Sequence, residues 1–270
     1  MFQSLRQYNY RTWAMGAVVS NVGTWMQRIG QDWLVLTVIT DNNATAMGTV
    51  MALQFGPALL LLPLTGYAAD HFDRRKLLLC TQAAAGLLAL GLGLLTLSGL
   101  VQLWHVYVFA LLLGCVTAFD APARQTFVSD LVDDAHLANA VALNSASFNA
   151  ARMIGPAAAG VLIAAVGEGW LFVINGGTYA AVLVSLWALR VDELYREERP
   201  ERGRGSLLAG FGYVARRPDL IAVLVMLFLL GAFGFNFAIF ISTMSVTVFD
   251  GDSSQFGLLT SAMAVGTMAG

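Results

Sequence analysis

Most charge in this chain sits at the edges of apolar stretches, and the exceptions can be read one by one. Arg28 and Asp32 stand four residues apart inside "WMQRIGQDWLV" (Trp25 to Val35), a spacing that puts both on one helical face. A buried carboxylate beside a guanidinium can take up and release a proton, because burial opposes its ionised form and the arginine favours it. The competing reading is structural: an ion pair that neutralises itself and anchors packing. At about 100° per residue, Ser20, Asn21, Thr24, Gln27 and Gln31 share that face, with Val18, Val22, Met26, Ile29 and Trp33 opposite. Lipid cannot satisfy such a stripe, so it should meet other helices or a wet cavity.

Other polar groups recur at similar depth. Ser145, Asn149, Arg152 and Pro156 share a face, and Arg152 needs an anionic or carbonyl partner if buried. "GPAAAG" (Gly155 to Gly160) adds a helix breaker and small residues, which implies a bend and a tight helix contact. Asn236 is a candidate cavity residue among the phenylalanines around it, since a buried amide needs partners. In "GYAADHFDRRK" (Gly66 to Lys76), Gly66 would let a neighbouring helix approach while Asp70 meets Arg74 or Arg75 or caps a helix. Asp120 and Arg124 could join that network.

No cluster suits a metal ion or cofactor. His71, His105 and His136 are scattered, neither an HExxH nor a GxSxG pattern occurs, and a membrane enzyme is disfavoured. Cys80 and Cys115 read as buried packing residues.

The elements that must position these groups are membrane helices. Hydrophobic residues make up 57%, charged residues 12%, and the mean hydropathy is +0.68; this composition fits a multi-pass membrane protein. Seven apolar windows span roughly Thr12–Val38, Ala44–Ala69, Leu77–Leu97, Leu103–Phe119, Ala140–Val166, Trp170–Leu189 and Leu220–Phe249, and Phe256 opens an eighth. The first is too long and polar for a cleaved signal. Basic residues (Arg6, Arg11, Arg74 to Lys76, Arg124, Arg190 to Arg217) crowd alternate connections, which places the N-terminus in the cytoplasm.

"ITDNNATAMGTVMAL" (Ile39 to Leu53) recurs at low identity as "VFDGDSSQFGLLTSA" (Val248 to Ala262), with Asp41, Thr45 and Gly48 matching Asp250, Ser254 and Gly257 at one constant offset. That divides the chain into a six-helix half (1–190), a charged linker with a short amphipathic helix at Leu207 to Val214 (191–218), and the start of a second half (219–270). Under the same offset Arg28 and Asp32 correspond to Phe237 and Ile241, so the second copy drops the charges. Two complete halves would need about 400 residues, so the chain reads as a fragment or truncated product.

Gly66, Ala69, Asp70, Arg74 and Arg75 resemble the cytoplasmic-loop signature of the major facilitator superfamily, with His71 and Asp73 as departures. "RMIGPAAAG" resembles its span-five antiporter motif through Gly155, Pro156 and Gly160, with Ala151 and Ala159 replacing glycines. "WMQRIGQDWLV" and "FDAPARQTFVSDLV" (Phe119 to Val132) are similar to the enterobactin-exporter and macrolide-efflux-like branch. The resemblance implies an all-α transporter of the cell's inner membrane that exports a small molecule by alternating access, driven by protons. Its partners would be substrate, protons and the lipid bilayer, not nucleic acid. Together with the polar faces read above, it points to a coupling site at Arg28, Asp32 and Arg152, with Asn149 on the face of Arg152 and Asn236 as a cavity candidate. Gly66, Asp70, Arg74, Arg75, Asp120 and Arg124 would form a conformational latch. A non-transporting fragment or assembly subunit is the alternative, since one half has no second half to rock against.

Overall fold

The computed structural model describes residues 2–195, 212–231, 240–241, 243–245, 248–249 and 251–269, without the side chains of residues 70 and 267–269. A bilayer offers the backbone no hydrogen-bond partners, and the regular structure among the described residues is helical. The main helices are α1 (Tyr8–Trp33), α2 (Ala44–Leu60), α3 (Leu62–His71), α4 (Arg74–Leu97), α5 (Leu103–Leu131), α6 (Asp134–Val166), α7 (Glu168–Trp187), α8 (Pro218–Leu229) and α9 (Ser253–Ala269). Among the described residues four helices are long and apolar enough to cross a membrane, and α2 with α3 supplies a fifth span if the bent pair counts as one. The 26-residue α1 has the length, but its polar stripe keeps it out of that set.

The expected windows are close to α4, α6 and α7, and differ instructively elsewhere. The second is broken at Leu61, where α2 and α3 meet at 58°. Pro57 and Pro63 flank the break, and Pro63 has no N–H to continue the ladder. The fourth does not stop at Phe119: α5 runs on to Leu131. Of the seventh window, α8 covers the first part, and Asn236 lies outside the described residues. So do residues 196–211, which include most of the expected amphipathic helix.

Capping follows local sequence. Asn43, Asp73 and Asp133 each accept a backbone N–H three residues on, from Ala46, Lys76 and His136. Asp252 does the same for Gln255, at the position matching Asn43 in the similar stretch. The stretch after α1, Leu34–Ile39, is a π-helix that buries Leu34, Val35 and Leu36.

Close packing comes from glycines at heptad spacing. Gly16, Gly23 and Gly30 line α1 against α7, and a Cβ at each would collide with Ser185, with Asn175 and Thr178, or with Leu171. Gly86 and Gly93 of α4 meet α7 at Tyr179 and Val173, while Gly169 and Gly176 of α7 meet Leu97 and Leu90. Without a hydrophobic drive between helices in lipid, such backbone proximity is what lets dispersion hold them together. α1 therefore packs on α6 and α7, α4 on α5 and α7, and α2 on α5.

Two larger apolar layers result, with a small third cluster of Ala85, Ala89, Leu113 and Tyr179. One centres on Tyr10, Trp13, Phe127 and Leu186, near the end that carries the Arg74 loop; the other on Ile29, Leu34, Leu92 and Phe172. The polar residues of α1 lie between them in sequence. Cys80 departs from expectation: it is exposed on α4, and Cys115 is half-buried.

Candidate functional site

Between the two apolar layers lies a cavity of about 550 Å³, walled by α1, α4, α5, α6 and Tyr179 of α7. This volume is in the range of small-molecule sites. Asn21, Thr24 and Arg28 of the α1 stripe line it; Ser20, Gln27 and Gln31 of the same stripe are buried. Gln27 accepts a hydrogen bond from Asn175 Nδ2, whose Oδ1 accepts from Thr178 at 2.8 Å. One stripe thus serves two surfaces: packing against α7 and the wall of a polar cavity.

The wall opposite α1 is built on Asp120. Its Oδ1 accepts from Thr81 Oγ1 at 2.7 Å and Gln82 Nε2 at 2.6 Å, and its Oδ2 from Arg124 Nε at 3.1 Å. Arg124 also donates to Asn21 Oδ1 at 3.1 Å, which ties α5 to α1. Asp120 is only 8% exposed, and a buried charge is tolerable when paired and hydrogen-bonded in this way. Thr24 and Tyr179 hydroxyls meet at 3.2 Å on the same wall.

Arg28 is different. Its guanidinium lies 4.8 Å from the centre of the Trp25 ring and 5.3 Å from that of Phe55. No ion pair joins it to Asp32 within 4.0 Å, and Asp32 has no hydrogen-bond partner among the described residues. A directly bonded Arg28–Asp32 pair is therefore not how this helix is built.

The model of a family described as transmembrane secretion effectors matches residues 1–270. The chain belongs to that family, within the major facilitator superfamily. It is 29% identical over 246 residues to the staphyloferrin A transporter of Staphylococcus aureus (strain NCTC 8325 / PS 47), covering 91% of this chain and 61% of that protein. It is 27% identical over 187 residues to the enterobactin exporter of Shigella flexneri, covering 68% and 45%. With the tetracycline resistance protein, class E, of Escherichia coli it shares 30% over 173 residues, covering 60% and 40%. The chain thus spans about three-fifths or less of the length of these relatives. A bacterial homolog of the human lysosomal transporter Spinster, in an inward-facing and unoccupied conformation, has the same fold, with a TM-score of 0.71 at 16% identity over 97% of this chain and 61% of that one.

The secretion-effector family is one of multi-pass membrane transporters, not enzymes. Its sequence motifs fall in three places here. Asn149 lines the cavity, with its amide bonded to Ser145 O at 2.9 Å, whereas Asp32 and Arg152 are not among the lining residues. Gly155 and Gly160 of the span-five motif are contact points, facing Trp25 and Val22 of α1 and Ser253 at the start of α9; the helix continues through Pro156.

The loop signature is rearranged relative to expectation. Arg74 pairs with Asp130 at 2.5 Å and donates to Thr126 O at 3.3 Å; Arg75 Nε donates to Leu186 O at 2.8 Å. Asp120 and Arg124 do not join them, because α5 carries them into the cavity wall one helical stretch away. Among the described residues a Cβ on Gly66 would meet nothing within 4 Å, so none of them makes the expected close approach there. The side chain of Asp70 lies outside the described residues. Sequence reading missed Asp130 and Thr81, whose roles depend on partners in another helix. Outside the spans, a hydrogen bond from His136 holds the Asp133 carboxyl below its ordinary value.

Proposed function

We propose that this chain forms the first six-helix half, and the start of the second, of a secondary transporter that exports a small molecule across the inner membrane by alternating access, with proton antiport. The observation that carries this reading is the 550 Å³ cavity walled by Arg28, Asp120, Arg124 and Asn149 inside a bundle of membrane helices. Polar and ionised groups at such depth mark pathways, because their burial costs energy that packing alone does not require. The relative named as an enterobactin exporter supports an export role.

In this reading Asp32 carries the proton, Arg152 is a counter-charge outside the cavity, and Asn236 belongs to the wall of the second half. Asp70, Arg74 and Arg75 form the latch together with Asp130. The N-terminus is cytoplasmic, from the basic connections on that side.

The test is proteoliposome flux of a full-length, two-half protein that contains this chain. Radiolabelled tetracycline is the probe, and an imposed pH gradient should drive its movement against its own gradient. Asp32→Asn should remove the response to the pH gradient while leaving insertion and thermal stability unchanged. Flux through Asp32→Asn that still follows the pH gradient would assign Asp32 to packing; no flux through the unmodified full-length protein would reject the transport reading.

A further inference from the structure

The charged side chains that wall the cavity are Arg28, Asp120 and Arg124. Two are cations and one is an anion, and the anion is fully engaged: both of its oxygens accept hydrogen bonds, from Thr81, Gln82 and Arg124. Asp120 therefore neutralises Arg124 and has little left for a ligand cation. Arg28 has Asp32 near it on the same helix, acting on it through space, but no directly bonded partner among the described residues. A guanidinium has five N–H donors and no acceptor, and among the described residues none of those of Arg28 meets a hydrogen-bond acceptor or an ion-pair partner.

Its surroundings fix what can use those donors. The guanidinium rests over Trp25 and Phe55, and Trp25 in turn meets Phe148 of the cavity wall edge to face, with ring centres 5.8 Å apart. A ring face attracts the cation without accepting its N–H groups as a carboxylate oxygen would, so those donors stay available. Their planar fork matches a carboxylate or similar oxyanion in geometry and charge, and Phe148 offers an apolar surface for the body of the molecule.

We infer that the cavity selects small molecules bearing an anionic oxygen group, docked on the Arg28 guanidinium with a flat apolar portion against Phe148. The inference rests on the transport reading of the same cavity, and adds the charge of what is carried.

Three probes of one shape separate the possibilities: 2-naphthoate, 2-naphthylmethanol and 2-naphthylmethylammonium, titrated into the detergent-purified chain and followed by calorimetry. The carboxylate should bind about tenfold or more tighter than the alcohol, the range expected for a charge-assisted hydrogen bond, and the ammonium most weakly. Arg28→Gln should remove the difference between carboxylate and alcohol while the alcohol still binds; Arg28→Lys, which keeps charge without the planar fork, should retain a reduced preference. Equal binding of all three, or a carboxylate preference that survives Arg28→Gln, overturns the assignment of an anionic ligand but leaves a small-molecule cavity. Binding of none overturns both readings. If Arg28→Gln does not fold, the Arg28→Lys result and the ranking in the unmodified chain decide.

Discussion

Arg74 at the first turn of α4 and Asp130 at the last turn of α5 form an ion pair at 2.5 Å, both side chains at most 20% exposed. The pair closes the end of the α4–α5 contact, and Tyr195 N donates to Asp130 O at 2.9 Å in the same corner. Removing one partner leaves the other charge poorly solvated, which costs more than an exposed pair would. Asp130→Asn should therefore lower stability by about 1–3 kcal/mol, read as a lower melting temperature in detergent. It should also raise the accessibility of the Arg74 corner to proteolysis. A variant as stable as the parent would show the pair to be incidental.

Asp120 and Arg124 should behave as one unit. Arg124→Gln leaves Asp120 with its Thr81 and Gln82 donors, whereas Asp120→Asn leaves Arg124 a part-buried cation held only by Asn21. Asp120→Asn should be the more damaging by about 1–2 kcal/mol, and the double replacement should cost less than the two added, by 0.5 to about 3 kcal/mol of coupling. Simple additivity in a double-mutant thermal cycle would dissolve the network.

The glycine stripes predict a ranking. At Gly93 an added Cβ would meet backbone, Val173 N at 2.9 Å and Gly169 O at 3.0 Å; at Gly30 it would meet the end of the Leu171 side chain at 2.7 Å. Backbone cannot move aside cheaply and a leucine tip can. Gly93→Ala should cost about 1–3 kcal/mol and Gly30→Ala less than about 1. Gly48→Ala, with open space around it, should be near neutral. Melting temperatures in one detergent would expose a reversed order.

Acid should loosen the start of α6. The Asp133 carboxyl, lowered chiefly by the His136 side-chain hydrogen bond, contributes its cap fully above the ordinary aspartate value near 3.9 and loses it as pH falls through the depressed one. Amide exchange at His136, whose N–H donates to Asp133 at 3.0 Å, should accelerate below about pH 4 beyond the intrinsic trend. Asp133→Asn, which caps without titrating, should flatten that excess; an unchanged profile would place the titration elsewhere.

Much of the fold is legible from sequence because bilayer physics leaves few options. The apolar windows follow from composition; the caps at Asn43, Asp73 and Asp133 and the break around Pro57 and Pro63 rest on local chemistry that a reading by apolar windows passes over. The α1 stripe is legible too, as a face that lipid could not satisfy. Its division is not: the same periodicity serves Gln27 against Asn175 and Arg28 in the cavity, and only the positions of α7 and α5 separate them.

The charges show this limit most clearly. Composition and spacing determined that this is a helical membrane protein with ionised groups inside its spans. Tertiary structure decided which of them meet. Arg28 and Asp32, ideally spaced on one helix, do not bond directly, while Arg74 finds Asp130 and Arg124 finds Asn21 across large sequence separations. Helical spacing fixes direction only within one helix; pairing between helices depends on how they are placed, and here glycines on α1, α4 and α7 bring α1 and α4 close against α7.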